Sequence, residues 1–318
     1  MRKILALALA ITGSIALQPA SADTTNADQK MALIKTIGGT ISPKSVLASD
    51  SGLISAHNMM YNHSVTIYDA NKAELIATVP DSVVLSDFGF TKFSGSYKGS
   101  PVEGAYSPDG KYLYFTNYAM YGKGFNKEGH DVCSPASGFD TSFLSRINLT
   151  TKKIDAVFPV GSVPKVVKVT PNNKYILVSN WCSYTVSIIS IETGKTVKSI
   201  KIGRYPRGIA ISDDSQYAYV AEMGGSNIHR IDLSNFSKTL VPVGSNPRAV
   251  VLSPDGTKLY VTMNISGKVQ AWDLVNNKTI KSVKTGKAAR SLDISSDGSA
   301  LFVVNFDSDT VSKVRASD

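Results

Sequence analysis

Short runs of alternating apolar and polar residues, rich in Val, Ile and Tyr, recur along the chain between clusters of Gly, Pro, Asn, Asp and Ser. Alternation with period two marks half-buried strands, and no helical periodicity competes with it. The stretches beginning at Pro164, Pro206, Pro247 and Ala289 align almost without gaps, as PKVVKVTPNNKYILVSN, PRGIAISDDSQYAYVAE, PRAVVLSPDGTKLYVTMN and ARSLDISSDGSALFVVN. Taking the Ser or Thr that ends the first apolar run as reference, the copies fall at Ser49, Ser107, Thr170, Ser212, Ser253 and Ser295. The last three intervals are 42, 41 and 42 residues. Each copy supplies four strands; over 206–244 they are RGIAIS (A), YAYVAE (B), NIHRIDL (C) and SKTLVPVG (D). Asp109-Gly110, Asp255-Gly256 and Asp297-Gly298 provide tight A–B hairpin turns. Four antiparallel strands repeated about every 40 residues predict an all-β fold, a β-propeller. Six references predict six blades. The last copy has only A, B and C, and MALIKTIGG near the start matches a D strand, so the N-terminal segment is expected to close the last blade.

Composition changes the picture in three places. With 318 residues, 42% hydrophobic and 19% charged, the chain is too apolar and evenly mixed to be disordered. Arg2 and Lys3 precede the apolar run ILALALAITGSIAL, and Ala20-Ser21-Ala22 supplies small residues for cleavage. Residues 1–22 therefore read as a secretory signal cleaved after Ala22, leaving 23–318 as a single propeller domain that is secreted or periplasmic. The run is shorter than the roughly 20 residues a span requires, and no later segment is as apolar, so no membrane span is expected. The 34 Lys and Arg exceed the 25 Asp and Glu by nine; without Arg2 and Lys3 the mature excess is seven, which makes an anionic partner thinkable. Two cysteines are too few for a zinc finger or an iron–sulfur site, and no Cys-x-x-Cys-His is present. No cofactor or metal is expected.

The phrases SPDGKYLYFTN, SPDGTKLYVTMN and SSDGSALFVVN, following segments such as VGSNPRAVVL, resemble the YVTN family of β-propeller repeats over residues 31–318. The resemblance implies a propeller, usually of seven blades, so seven is the alternative to the six counted here. It also implies an exported protein. Related propellers include lactonase-like enzymes, a streptogramin lyase and a periplasmic DNA-binding protein, so the resemblance speaks to architecture more than to activity.

In a propeller the D–A and B–C connections share one face. The first two intervals, 58 and 63 residues, carry insertions at 81–100 (D–A, between blades 1 and 2) and 119–141 (B–C of blade 2), both on that face. Long loops on a rigid scaffold are where binding tends to reside, although surface decoration gives the same pattern. Cys133 in the second insertion and Cys182 in the neighbouring B–C loop are expected to form a disulfide that pins the insertion over blade 3, the alternative being two thiols. Five residues before each reference the copies read Lys44, Val102, Lys165, Arg207, Arg248 and Arg290. Five cations opening the innermost strands would ring the channel mouth, as a site for a carboxylate, phosphate or sulfated ligand or as structural ion pairs. Trp181 and the aromatics Phe88, Phe90, Phe93, Tyr97, Tyr118, Tyr121 and Phe125 would line a wall there or anchor the insertions.

The residue ending strand B is Asn58, Asn117, Asn180, Glu222, Asn264 and Asn305, an Asn series expected to bond local backbone. Glu222 breaks it, either as a general acid or base or as the counter-ion of Arg207 or Arg248. With His63 and His130 it makes the weak catalytic candidate set; His57 and His229 sit in strands as packing or surface residues. No Gly-x-Ser-x-Gly elbow, phosphate loop or dinucleotide fingerprint occurs. The leading reading is an exported, monomeric binding module for an anionic small molecule or a partner protein at the insertion-bearing face. A lactonase-like hydrolase or lyase is the alternative. DNA or another polyanion comes third, because a compact ring of charge suits a small anion better than a rod.

Overall fold

A computed structural model describes residues 33–316. Six antiparallel sheets follow one another along the chain. The first holds β1 (Ser45–Ala48), β2 (Leu53–Asn58), β3 (Ser64–Asp69) and β4 (Glu74–Pro80). The second holds five strands, β5 (Ser82–Val84), β6 (Ser96–Tyr106), β7 (Tyr112–Tyr121), β8 (Ser142–Asn148) and β9 (Lys153–Val160). The third runs β10 (Pro164–Val169), β11 (Tyr175–Asn180), β12 (Thr185–Ser190) and β13 (Thr196–Lys201), and the fourth β14 (Pro206–Ile211), β15 (Tyr217–Glu222), β16 (Ile228–Asp232) and β17 (Lys238–Val241). The fifth comprises β18 (Pro247–Leu252), β19 (Lys258–Met263), β20 (Lys268–Asp273) and β21 (Lys278–Lys284), and the sixth β22 (Ala289–Ile294), β23 (Ala300–Asn305) and β24 (Thr310–Arg315). The arrangement is a six-bladed β-propeller, and six rather than seven is the blade number.

The apolar faces of adjacent sheets make the core. Val166, Leu177 and Ile188 of the third sheet pack on Ile209, Val220 and Ile231 of the fourth. Tyr219 and Ile228 of the fourth meet Leu259 and Trp272 of the fifth in the same way. Lys44, just ahead of β1, feels the positive charges of Arg207, Arg290 and Arg248, so the inner ends of blades 1, 4, 5 and 6 converge on the channel. Outer strands contribute little: β21 has no buried residue and β13 has one.

The recurrent Ser or Thr has a physical reason. In each copy its hydroxyl pairs with the side chain two residues on and accepts the N–H that opens the next strand, as in Ser212 with Asp214 at 2.6 Å and Tyr217 N at 2.9 Å. Ser49, Ser107, Thr170, Ser253 and Ser295 do the same. The following glycines, Gly110, Gly256 and Gly298, have φ of 68°, 68° and 73°, which is why Asp-Gly marks these turns.

The closing of the last blade differs from expectation. Residues 33–37 contain no strand, Leu33 and Ile34 are exposed, and the sixth sheet has three strands among the described residues. Met31 and Ala32, like the expected signal segment 1–22, lie outside the described residues.

Five inner strands share one irregularity. Two residues face one on strand B between Pro101 and Gly104, Pro164 and Val167, Pro206 and Ile209, Pro247 and Val250, and Ala289 and Leu292. A bulge leaves its extra N–H without a ladder partner and re-aims a side chain. In three blades a strand-B hydroxyl accepts that N–H: Thr116 from Glu103 at 3.4 Å, Ser179 from Val166 at 3.0 Å and Thr262 from Ala249 at 2.9 Å. Thr116 also donates to the Lys165 carbonyl at 2.7 Å and Thr262 to the Arg290 carbonyl at 3.2 Å, so each straps its bulge to the inner strand of the next blade. Blade 1 lacks the bulge and straps through Ser45, which donates to Val102 O at 2.7 Å and meets His57 Nδ1 at 3.0 Å. Thr116→Val should therefore cost about 1–3 kcal/mol in denaturant unfolding, because two buried backbone groups lose their partner. A loss below about 0.5 kcal/mol would show that the strap does not hold the blades.

Candidate functional site

The first residue of each bulge is the position that reads Val102, Lys165, Arg207, Arg248 and Arg290, so the irregular backbone is what aims this row of side chains. Lys44 joins them from the chain ahead of β1. Their mutual electrostatics show the convergence: Arg248 is depressed below the usual guanidinium range by burial first, then by Arg207 and Arg290. Lys44 is lowered by burial and by Arg207 and Arg290. Burial, with help from Arg207, brings Lys165 down to about 8.

Two acids enter this group, and neither stood out in the sequence. Glu103 occupies the second bulge slot of blade 2, beside the uncharged Val102, and its Oε1 lies 2.6 Å from Arg207 Nη2. Burial opposes its charge, but Arg207, and beyond it Arg248 and Lys168, hold the carboxyl below its ordinary value. This pair joins blade 2 to blade 4. Asp131, from the second insertion, lies 2.8 Å from Lys165 Nζ. The missing cation at position 102 and the acid next to it were the available sequence signal for Glu103; Asp131, in a loop without a repeat equivalent, had none. Arg248 pairs with no carboxylate among the described residues, and its Nη1 contacts Met223 Sδ at 3.5 Å. Arg290 lies 3.5 Å over the Phe306 ring, and neither its Nε nor Arg207 Nη1 has a hydrogen-bond partner among the described residues. A cavity of 180 Å³ lies inside the ring, lined by Arg207, Arg248, Arg290, Glu103, Lys168 and Asp293 together with small residues. Gly208 belongs to the packing, since a Cβ there would sit 2.6 Å from the Arg248 carbonyl oxygen.

The insertions are anchored. Phe88, Phe90, Phe93 and Tyr97 of the first pack with Phe125 of the second and Phe143 of β8 around Val83, Leu85 and Met120. Cys133 and Cys182 form a disulfide with Cα atoms 5.5 Å apart. Trp181 donates from Nε1 to Asp131 O at 3.0 Å and stacks on Tyr205 at 4.4 Å, while Lys165 Nζ lies 4.3 Å from the Tyr118 ring centre. Trp181 is thus a buried prop for the strap that carries Asp131.

The Asn series has a shared role. Asn180 accepts Gly161 N–H at 3.0 Å and donates to Thr185 and Ser187 on β12 at 3.1 and 2.9 Å; Asn58 and Asn305 repeat the cross-strand part. Glu222 fills the same place: Oε1 accepts Arg204 N–H at 3.2 Å, and Oε2 accepts from His229 Nε2 at 3.1 Å, seven residues on as Ser187 is from Asn180. Glu222 therefore answers to His229 rather than to Arg207 or Arg248. His63 lies 2.6 Å by Nδ1 from Gly99 O and edge-on to Tyr121, and His130 packs on Phe139, so the three catalytic candidates have separate partners. Among the described residues no three His, Cys, Asp or Glu converge as metal ligands. The sequence also passed over Asp81 at the root of the first insertion, whose fully buried carboxyl is raised to about 8 by that burial.

These features define a propeller whose inner strands carry a partly compensated cationic mouth. No family model matches the chain. Antigen Lp49 of Leptospira interrogans is 29% identical over 153 residues, covering 45% of this chain and 33% of that protein, so the match spans a third of the relative's length. Among solved structures, Kuenenia stuttgartiensis hydrazine synthase is similar in fold, with a TM-score of 0.55 and 18% identity over 91% of this chain and 99% of that one. No helix among the described residues is long and apolar enough to cross a membrane.

Two measurements follow from the site. Reducing the Cys133–Cys182 bond, which closes a loop of 49 residues, should lower unfolding free energy by about 4 kcal/mol; equal stability with and without reductant would contradict the pinning of the insertion. Glu222→Asn and His229→Ser should each destabilise the fold and be partly restored in the double variant, with a coupling of about 0.5–3 kcal/mol. Simple additivity would show that the pair does not stand in for Asn and Ser.

Proposed function

We propose that the protein is an exported binding module that takes an anionic small molecule at the channel mouth, between Arg207, Arg248 and Arg290, with Lys44 and Lys165 at the rim and Trp181 supporting the strap above. The observation that carries this reading is Arg248. A half-buried guanidinium with two like-charged neighbours and no carboxylate in direct contact among the described residues is a costly arrangement, and an anion relieves it. A purely structural ring would give each buried cation its own acid, as Arg207 and Lys165 have. Arg suits the role because its planar fork meets carboxylate and phosphate oxygens two at a time. The disulfide is compatible with export, and the YVTN resemblance of the repeats points the same way.

Titration calorimetry with phosphate, sulfate and citrate tests it. Wild type should bind at least one of them, and Arg248→Gln should weaken that binding by about 10- to 100-fold, the range for a lost charge-assisted bond. For sulfate, whose charge is constant over this range, affinity should also hold steady between pH 6 and 7 and fall as pH rises through about 8, where Lys165 loses its proton; Lys165→Met should bind more weakly and without that fall. Binding unaffected by Arg248→Gln would overturn the reading.

A further inference from the structure

The channel changes character along its axis. Below the cavity at the cationic ring lie two larger ones, of 620 and 340 Å³. The three adjoin one another: Lys168 lines all of them, Ile209, Val250 and Val251 line the one at the ring and the smaller lower one, and Val169 and Pro171 line the two lower ones. The apolar part of the lower walls comes from the closing residues of the inner strands, Leu47, Val169, Ile211, Leu252 and Ile294, each half-buried against a blade core, while Asp50, Asp109 and Asp213 stand at the far rim. Within one strand, Arg248 at the mouth and Leu252 at the lower wall are four residues apart, about 13 Å at the strand rise. Lys168 and Asp293 line the cavity at the ring beside Ala249, Val250 and Val251.

We propose that the ligand is an amphiphile, with a carboxylate or comparable anionic head at Arg207, Arg248 and Arg290 and an unbranched apolar body lying along the channel toward Leu47, Val169, Ile211 and Leu252. The proposal rests on the anion reading above and adds the second half of the molecule. The half-buried aliphatic side chains of these walls gain by further covering, and their place next to the cationic ring, with acids only at the far rim, fixes which end of a ligand each part receives. A compact anion alone would use the mouth and leave the lower walls as they are.

The test is a calorimetric series of straight-chain carboxylates from acetate to decanoate, with decanol as the uncharged control, on wild type, Arg248→Gln and Leu252→Asn, the last at a residue that lines the lower cavity and not the one at the ring. Affinity should rise about fourfold per methylene, the equivalent of the transfer free energy of a buried CH₂, and then level off. Arg248→Gln should weaken every member about equally, and Leu252→Asn should flatten the rise while leaving acetate unchanged. Acetate and decanoate bound equally well, both weakened by Arg248→Gln, would overturn the amphiphile and leave the anion site standing. Decanol bound as tightly as decanoate, or no binding by any member, would overturn both. The chain-length series on wild type decides the matter even if Leu252→Asn fails to fold.

Discussion

The bulge in the inner strand is the constraint on which the rest depends. Inner strands crowd around a narrow axis, and a regular ladder would give each residue there a fixed alternation between the blade core and the channel. Inserting one residue breaks that alternation once, near the mouth, and delivers two consecutive side chains to the channel side of the blade. The cost is a backbone N–H outside the ladder, which the hydroxyls of Thr116, Ser179 and Thr262 meet in blades 2, 3 and 5. Blades 4 and 6 carry Ala221 and Val304 at that place, which offer no hydroxyl. The hydroxyls of Thr116 and Thr262 also reach the next blade, so in blades 2 and 5 the device that aims the site also ties neighbouring inner strands together.

The cationic mouth is consequently a balance rather than a simple excess. Glu103 and Asp131 come from the two parts of blade 2 that depart from the repeat, one from the bulge where the cation is missing and the other from an insertion held by a disulfide and by Trp181. Each pairs with a cation of another blade, Arg207 of the fourth and Lys165 of the third. Charge compensation of this kind ties blades together that share no ladder. It also concentrates what is left of the positive potential at Arg248 and Arg290, next to the Met223 and Phe306 side chains.

How much of this was legible follows from which features repeat. Strand positions, the A–B turn with its Ser–Asp pair, the six blades and the disulfide all could be read, because the first three recur under the same local physics and the last needs only two cysteines on neighbouring loops. The ring of Lys44, Lys165, Arg207, Arg248 and Arg290 was visible for the same reason. What pairs with it was not: Asp131 reaches Lys165 through a loop with no copy elsewhere, and Glu103 reaches Arg207 across the channel. Glu222 was conspicuous as an exception, but its meaning lay in His229, seven residues away, where a second exception matches the first. The outer strand sought in MALIKTIGG has no counterpart among the described residues from Leu33 onward.

The exposed outer strands give the protein's positive charge a second meaning. Lys153, Lys198, Lys201, Lys238, Lys278, Lys281 and Lys284 lie on β9, β13, β17 and β21, and Lys313 and Arg315 lie on β24. These are the strands at which each sheet stops, where unpaired backbone would otherwise template growth by another molecule. A row of cations along such an edge repels an incoming copy that bears the same row. More of the described cations thus lie along these edges than at the channel mouth. β4 is the flank without it: ELIATVP has no lysine and leaves Leu75 and Ile76 exposed, which makes the first blade the side from which sheet-to-sheet growth meets least resistance.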